Sequence, residues 1–241
     1  MQLYKENLKI NYQDIDYSGV LKLSCLLEIC SNIATAHAIE LGVWSDDLIG
    51  DYGWILAKMH IEINKPVHFS NVELLTYPGI PSKVIYPRYY QLVSGDEILV
   101  KASSIWTLLD LKKRRITIPK RAGINFPVFD DPIDVVDLPE DIDSENIPYQ
   151  YVETRKVQFS DVDTNQHMNN ARYIEWACDL MDYSYFKTHY ISMVDIFFKH
   201  EIVPSSLVDL YFYKKDEDIF YIKGSVGDIV CFEIKMNGKL K

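Results

Sequence analysis

INYQDIDYSGVLKLS, residues Ile10 to Ser24, returns in altered form as VQFSDVDTNQHMNNA, residues Val157 to Ala171, and this echo divides the chain into two similar halves. Asp14 and Asp16 of the first copy fall opposite Asp161 and Asp163 of the second. Beyond that pair the copies diverge, with Ser18 where Asn165 stands and Val20 where His167 stands. A feature needed only to end a strand and start a helix belongs in both copies. The amide and the imidazole occur in one, so a site is expected in the second half. In extended chain, Asp163, Asn165 and His167 occupy alternate positions and present an acid, an amide and an imidazole on one face. The same residue types also favour turns and helix caps, through side-chain bonds to backbone, with His167 then lying on a helix surface.

Outward from the first copy, residues 8–17 read as a strand leading into a turn at Ser18-Gly19. Apolar residues at Leu23, Leu26, Leu27, Ile33, Ala34, Ala38 and Leu41 predict a long buried helix over 21–41, closed by Gly42. His37 within it reads as a packed or capping histidine. β-Branched and aromatic runs predict strands at 55–63, 72–77, 84–93 and 98–109, separated at Pro66, Pro78-Gly79, Pro81 and Ser94-Gly95-Asp96. The second half repeats this order. A strand at 151–159 precedes a helix at 169–183, and strands follow at 193–200, 206–214, 219–226 and 229–237, the last two joined by a tight turn at Gly227-Asp228. A helix followed by antiparallel strands is an α+β unit whose sheet wraps the helix to bury it. Two such halves are expected, at 1–117 and 151–241, with the proline-broken span 118–150 running across the surface between them.

With 241 residues, 48% of them hydrophobic, the chain has enough apolar side chain for a large core. The formal net charge of −10 excludes a general nucleic-acid binder, which needs a basic face to displace counterions from phosphate. Charge is nonetheless uneven. Lys112, Lys113, Arg114, Arg115, Lys120 and Arg121 crowd one stretch, whereas Asp130 to Glu145 is acidic and broken by Pro132 and Pro139. Cys25, Cys30, Cys178 and Cys231 lack C-x-x-C spacing and a matching histidine pattern, so they read as reduced core thiols, and no metal is expected. No basic-then-apolar leader opens the sequence, and no apolar run approaches the roughly 18 residues that cross a bilayer. A cytoplasmic protein without membrane insertion is expected.

The duplicated helix-and-sheet pattern resembles the double hotdog, a tandem α+β fold, and the sequence is similar over almost its whole length to acyl-acyl carrier protein thioesterases of the plant and bacterial type. GWILAKMHIEINKP (Gly53 to Pro66) resembles that family's block between central helix and sheet, and IWTLLDLKKRRITIPK (Ile105 to Lys120) its tryptophan, aspartate and double-arginine segment. DVDTNQHMNNARYIEW matches the active-site motif through Asp163, Asn165, His167, Asn169, Asn170, Tyr173 and Trp176. The resemblance places a further catalytic glutamate, on the following strand, at Glu201 in FFKHEI. The family often has cysteine directly after that glutamate. Here the position is Ile202, and Cys178 lies more than two turns into the expected helix, so water is the better attacking group.

The resemblance implies hydrolysis of fatty acyl-carrier protein thioesters without a cofactor, with catalytic residues Asp163, Asn165, His167 and Glu201. Either His167 or Glu201 would serve as base, and the start of the following helix would add N–H groups for the oxyanion. The first half would shape the acyl tunnel, with Trp54 and Met59 as candidates, though both residue types equally suit plain core packing. Each methylene buried there is worth about 0.8 kcal/mol. An acidic carrier protein meeting an acidic chain needs a local basic patch. Lys112, Lys113, Arg114, Arg115 and Arg172 are its candidates, and a solvated strand end explains the first four equally well. Acyl-coenzyme A hydrolysis, an enoyl-thioester hydratase or dehydratase, and a non-catalytic acyl-thioester sensor are the alternatives. By analogy with hotdog proteins, a homodimer is the expected association.

Overall fold

The computed structural model describes residues 3–127 and 136–241. The chain forms two compact units, one of Met1–Ile10, Ile29–Asn64 and Ser70–Pro139, the other of Asn11–Glu28, Lys65–Phe69 and Glu140–Lys241. Helix α1 (Leu23–Glu40) begins in the second and continues in the first. The chain therefore passes between the units more often than a simple division at the connector requires.

The first unit has an antiparallel sheet in the order β1 (Tyr4–Lys9), β3 (Asn71–Pro78), β4 (Tyr86–Ser94), β5 (Glu97–Asp110) and β2 (Tyr52–Ile63), with β6 (Arg115–Thr117) paired to β5. Each strand ends where the sequence supplies a turn former. Gly95, at φ 60°, makes the β4–β5 turn. Ala38 and Leu41, from the end of α1 and just beyond it, pack against a buried cluster of Val43, Leu108 and Ile124. Gly42, at φ 68°, lets the chain leave the helix. His37 is fully buried. Its Nδ1 lies 3.0 Å from Arg88 Nη1, its ring stacks on Tyr4, and it is a packed histidine as its place in the helix suggested.

The second unit repeats the plan with β8 (His189–Phe198), β11 (Ile229–Leu240), β10 (Ile219–Val226), β9 (Leu207–Lys214) and β7 (Gln150–Lys156), in that order. Helix α2 (Asn170–Asp179) buries Ala171, Tyr173, Ile174, Trp176 and Ala177. It is shorter than the expected 169–183 because Asp182 Oδ1 accepts the Ser184 N–H at 2.7 Å, and a separate short helix, α3 (Tyr185–Thr188), follows. β1 likewise stops before the predicted end of its strand. Asp14 Oδ2 accepts the Asn11 N–H at 2.7 Å and winds 12–14 into a 3₁₀ turn, and Asp161 does the same to Gln158 after β7.

Two residues of the connector touch strands. Ser103 Oγ donates to the Asp137 carbonyl at 2.6 Å, and Lys223 Nζ sits 4.5 Å from the centre of the Tyr149 ring. Residues 128–135, within the acidic span that includes Pro132, lie outside the described residues. A helix wrapped by an antiparallel sheet, built twice, is the tandem hotdog arrangement that the sequence implies.

Candidate active site

The motif of the second half is not the extended segment that alternation suggested. Asp163 Oδ1 accepts the Asn165 N–H at 2.8 Å, and the Asp163 N–H donates to the His167 carbonyl at 2.9 Å. These bonds fold 163–167 into a tight turn. Side-chain acceptance of a nearby N–H is what aspartate does in turns generally. The first copy folds in the same way: Asp16 Oδ1 accepts the Ser18 N–H at 2.7 Å, and the Asp16 N–H donates to the Val20 carbonyl at 2.7 Å. Both aspartates of each copy therefore build the loop. What the second copy adds is the side chains mounted on it.

The loop is pinned in the same way in both copies. Met168 N–H donates to the Ile202 carbonyl at 2.8 Å, as Leu21 N–H donates to the Val67 carbonyl at 2.7 Å. Glu201 thus has a counterpart that spacing alone concealed, and it is Pro66. Asn165, His167 and Glu201 stand where the first copy has Ser18, Val20 and Pro66. Glu201 lies in the loop just past β8 rather than on the strand. Its Oε2 is 3.3 Å from His167 Nε2, and both side chains are about one-third exposed, at 35% and 34%. The carboxylate and imidazole therefore meet in a place that water reaches.

The support beneath this pair is apolar and tight. Tyr173, 3% exposed, is hydrogen-bonded to the Ile202 backbone and sets its ring edge-on to Phe198 and Phe232, at centroid distances of 5.2 and 5.0 Å. Asn169 caps α2, its Oδ1 accepting the Ala171 N–H at 2.8 Å. The N–H groups of Met168, Asn169, Ala171 and Arg172 all donate to protein acceptors, so these four are not the ones that the start of α2 could offer to an oxyanion. Asn165 holds its own amide close to Asp163, Nδ2 to Oδ2 being 3.5 Å. Burial, reinforced by the neighbouring Asp179 carboxylate, pushes the Cys178 thiol up to about 12, which keeps it protonated and poorly nucleophilic.

Among the other residues singled out by sequence, Trp54 and Met59 lie on β2. A bulge between Leu56 and Lys58 turns these two, five positions apart, onto one face of the sheet. Met59 is 1% exposed, and Trp54 donates Nε1 to the Val43 carbonyl at 3.2 Å and meets Tyr86 edge-on. Of the basic residues, Lys112 pairs with Asp51 at 2.7 Å and Lys113 with Asp110 at 2.9 Å. Arg172 is engaged by Glu28, at 2.7 Å, and by Glu175. Arg114 and Arg115 are exposed at the β5–β6 turn. The groove lined by Asn7, Leu8, Asn71 and Val93 contains none of these residues. Among the described residues, no group of three or more His, Cys, Asp or Glu side chains is placed to hold a metal ion, and no helix is long and apolar enough to cross a membrane.

The fold is a tandem hotdog whose second copy alone carries an amide, an imidazole and a carboxylate on its loop and the segment pinned to it. Residues 1–120 match the acyl-ACP thioesterase N-terminal domain and residues 145–228 the C-terminal domain, and the chain belongs to the acyl-ACP thioesterase family. It is 24% identical over 229 residues to an acyl-[acyl-carrier-protein] hydrolase of Cuphea viscosissima, covering 86% of this chain and 53% of the relative. It is 23% identical over 225 residues to oleoyl-acyl carrier protein thioesterase 2 of Arabidopsis thaliana, covering 86% and 61%. The chain thus spans between about half and three fifths of the length of these curated relatives. Among solved structures, the fold is similar to that of an acyl-ACP thioesterase from Bacteroides thetaiotaomicron, with TM-score 0.83, 20% identity and coverage of 99% and 98% of the two chains. It is also similar to the 12:0-ACP thioesterase of Umbellularia californica, with TM-score 0.80, 17% identity and coverage of 100% and 98%.

Proposed function

We propose that the protein hydrolyses fatty acyl-acyl carrier protein thioesters to free fatty acid and holo-carrier protein, with water as the attacking group. The observation that carries this reading is the 3.3 Å approach of His167 Nε2 to Glu201 Oε2, in the copy of the loop that also bears Asn165. The water oxygen attacks the thioester carbonyl carbon while its proton passes to the His167–Glu201 pair. The oxyanion is held by the Asn165 amide, the C–S bond breaks, and the thiolate leaves with the proton the pair received. Such a base contributes about 10²- to 10⁴-fold, and one oxyanion donor about 10²- to 10³-fold. Asp163 positions Asn165 rather than touching substrate, since Asp16 makes the same loop where no such site exists.

For the acyl chain we assign the inner face of the first unit's sheet around Trp54 and Met59, so that one half of the chain holds the substrate tail and the other the chemistry. For carrier-protein docking we assign Arg114 and Arg115, with Lys112 and Lys113 contributing less because Asp51 and Asp110 neutralise them. Arg172 contributes least, being held between two glutamates. The setting is the aqueous compartment that contains the carrier protein, and a homodimer is the proposed association.

Purified protein incubated with a panel of acyl-carrier protein and acyl-coenzyme A thioesters, with free thiol followed over time, tests the reading. Thiol release fastest from carrier-protein donors is expected. Release only from coenzyme A donors would make the protein an acyl-CoA thioesterase, and a conjugated enoyl thioester without thiol would make it a dehydratase.

A further inference from the structure

Gln166 is held at φ 62°, the left-handed region that glycine enters freely and that crowds a side chain. Among the described residues, three other non-glycine residues, Lys83, Arg114 and Ser205, share such values, so the angle alone decides nothing. The molecule supplies its own control. In the first copy of the loop the same turn is closed by Gly19, at φ 80°, and its N–H donates to the Asp16 carbonyl at 3.0 Å, as the Gln166 N–H donates to the Asp163 carbonyl at 3.0 Å. The two loops match bond for bond through Asp16 and Asp163, Ser18 and Asn165, and Leu21 and Met168. The inactive copy uses the residue the backbone prefers. The copy with the His167–Glu201 pair puts a carboxamide in the strained position, between Asn165 and His167, and exposes it.

We propose that Gln166 is retained for its carboxamide, which hydrogen-bonds the amide-bearing pantetheine arm of the incoming thioester. The inference rests on the thioesterase reading above. A carboxamide carries donors and an acceptor, which match an amide of the arm on both counts. The fatty tail offers neither, so a polar contact beside the reacting carbonyl falls on the thiol side of the substrate. Among the described residues the Gln166 side chain has no hydrogen-bond partner that would account for it otherwise. Strain kept at a loop that carries reactive groups is the expected sign of a side chain with work there.

Two variants separate contact from conformation. Gln166→Ala removes the amide and keeps the strain; Gln166→Gly removes both. Each is assayed on acyl-carrier protein, on acyl-coenzyme A, and on an acyl thioester of a simple alkanethiol, which lacks the arm. In both variants, kcat/KM for the two arm-bearing donors should fall about tenfold further than for the simple thioester, the effect of one lost hydrogen bond. Gln166→Gly alone should melt about 2 to 4 °C higher. Equal losses on all three donors, a loss confined to the carrier protein, or a glycine variant no more stable than the parent would each overturn the proposal. A parent protein that hydrolyses none of the donors would overturn the thioesterase reading instead, and the two failures are distinguishable.

Discussion

His167 and Glu201 come from different loops, which the backbone bond from Met168 N–H to the Ile202 carbonyl at 2.8 Å joins. His167→Ala or Glu201→Ala should each lower kcat at least about a hundredfold with an unchanged circular dichroism spectrum. Near-normal turnover would remove the residue concerned from the mechanism. Cys178→Ala should turn over within about threefold of the parent, and iodoacetamide at neutral pH should leave the native enzyme active. The sign follows from burial: it disfavours the thiolate, so a thiol raised from 9.0 to about 12 has about a thousandfold less reactive form near pH 7 than an unshifted one, and alkylation becomes fast only as pH approaches that value. At this scale the histidine and amide were legible because the repeat lacks them. The sequence left the aspartates open between loop-building and catalysis, because both draw on the same residue types, and the bonds of Asp16 show the loop-building that Asp163 shares. Pro66 as the counterpart of Glu201 was hidden because the two copies keep different spacing between loop and partner strand.

At the scale of elements, the site stands on β10, β11 and α2. Gly224 of β10 faces Phe232 of β11, and a Cβ there would come within 2.0 Å of the Phe232 ring. Phe232 meets the ring of Tyr173, which is bonded to the Ile202 backbone. Gly224→Ala should therefore overpack this corner, costing about 1 to 3 kcal/mol, and should lower both the melting temperature and kcat. A variant that melts like the parent would contradict the close packing of Phe232. Most strands were readable from their residue types and turn-forming breaks, and the long α1 from its apolar spacing, but β1 lies at Tyr4–Lys9 rather than 8–17 and the short β6 was not read. The end of α2 was not, because the Asp182 turn competes with helix continuation by a single side-chain bond. Nor was the common face of Trp54 and Met59, since a bulge at Leu56 reverses the alternation that a regular strand would impose.

Over the whole molecule, a net charge of −10 would oppose the acidic carrier protein of the proposed function, so the proposed docking rests on local positive charge. Arg114→Glu with Arg115→Glu should raise KM for acyl-carrier protein about tenfold more than for acyl-coenzyme A, with the difference shrinking as salt rises. Equal effects on both donors would place docking elsewhere. The duplicated architecture was visible from a fifteen-residue echo because each copy must solve the same local problem, leaving a strand and entering a helix. How the chain shares its segments between two units was not, since those contacts join residues far apart in sequence. The central claim is that one imidazole and one carboxylate in the second copy act together on water. Its most direct test is the turnover of acyl-carrier protein by His167→Ala, Glu201→Ala and the double variant. The account predicts that the double variant loses no more than about threefold beyond the worse single, as groups acting as a unit do. Losses that multiply would show that the two side chains work apart and contradict it.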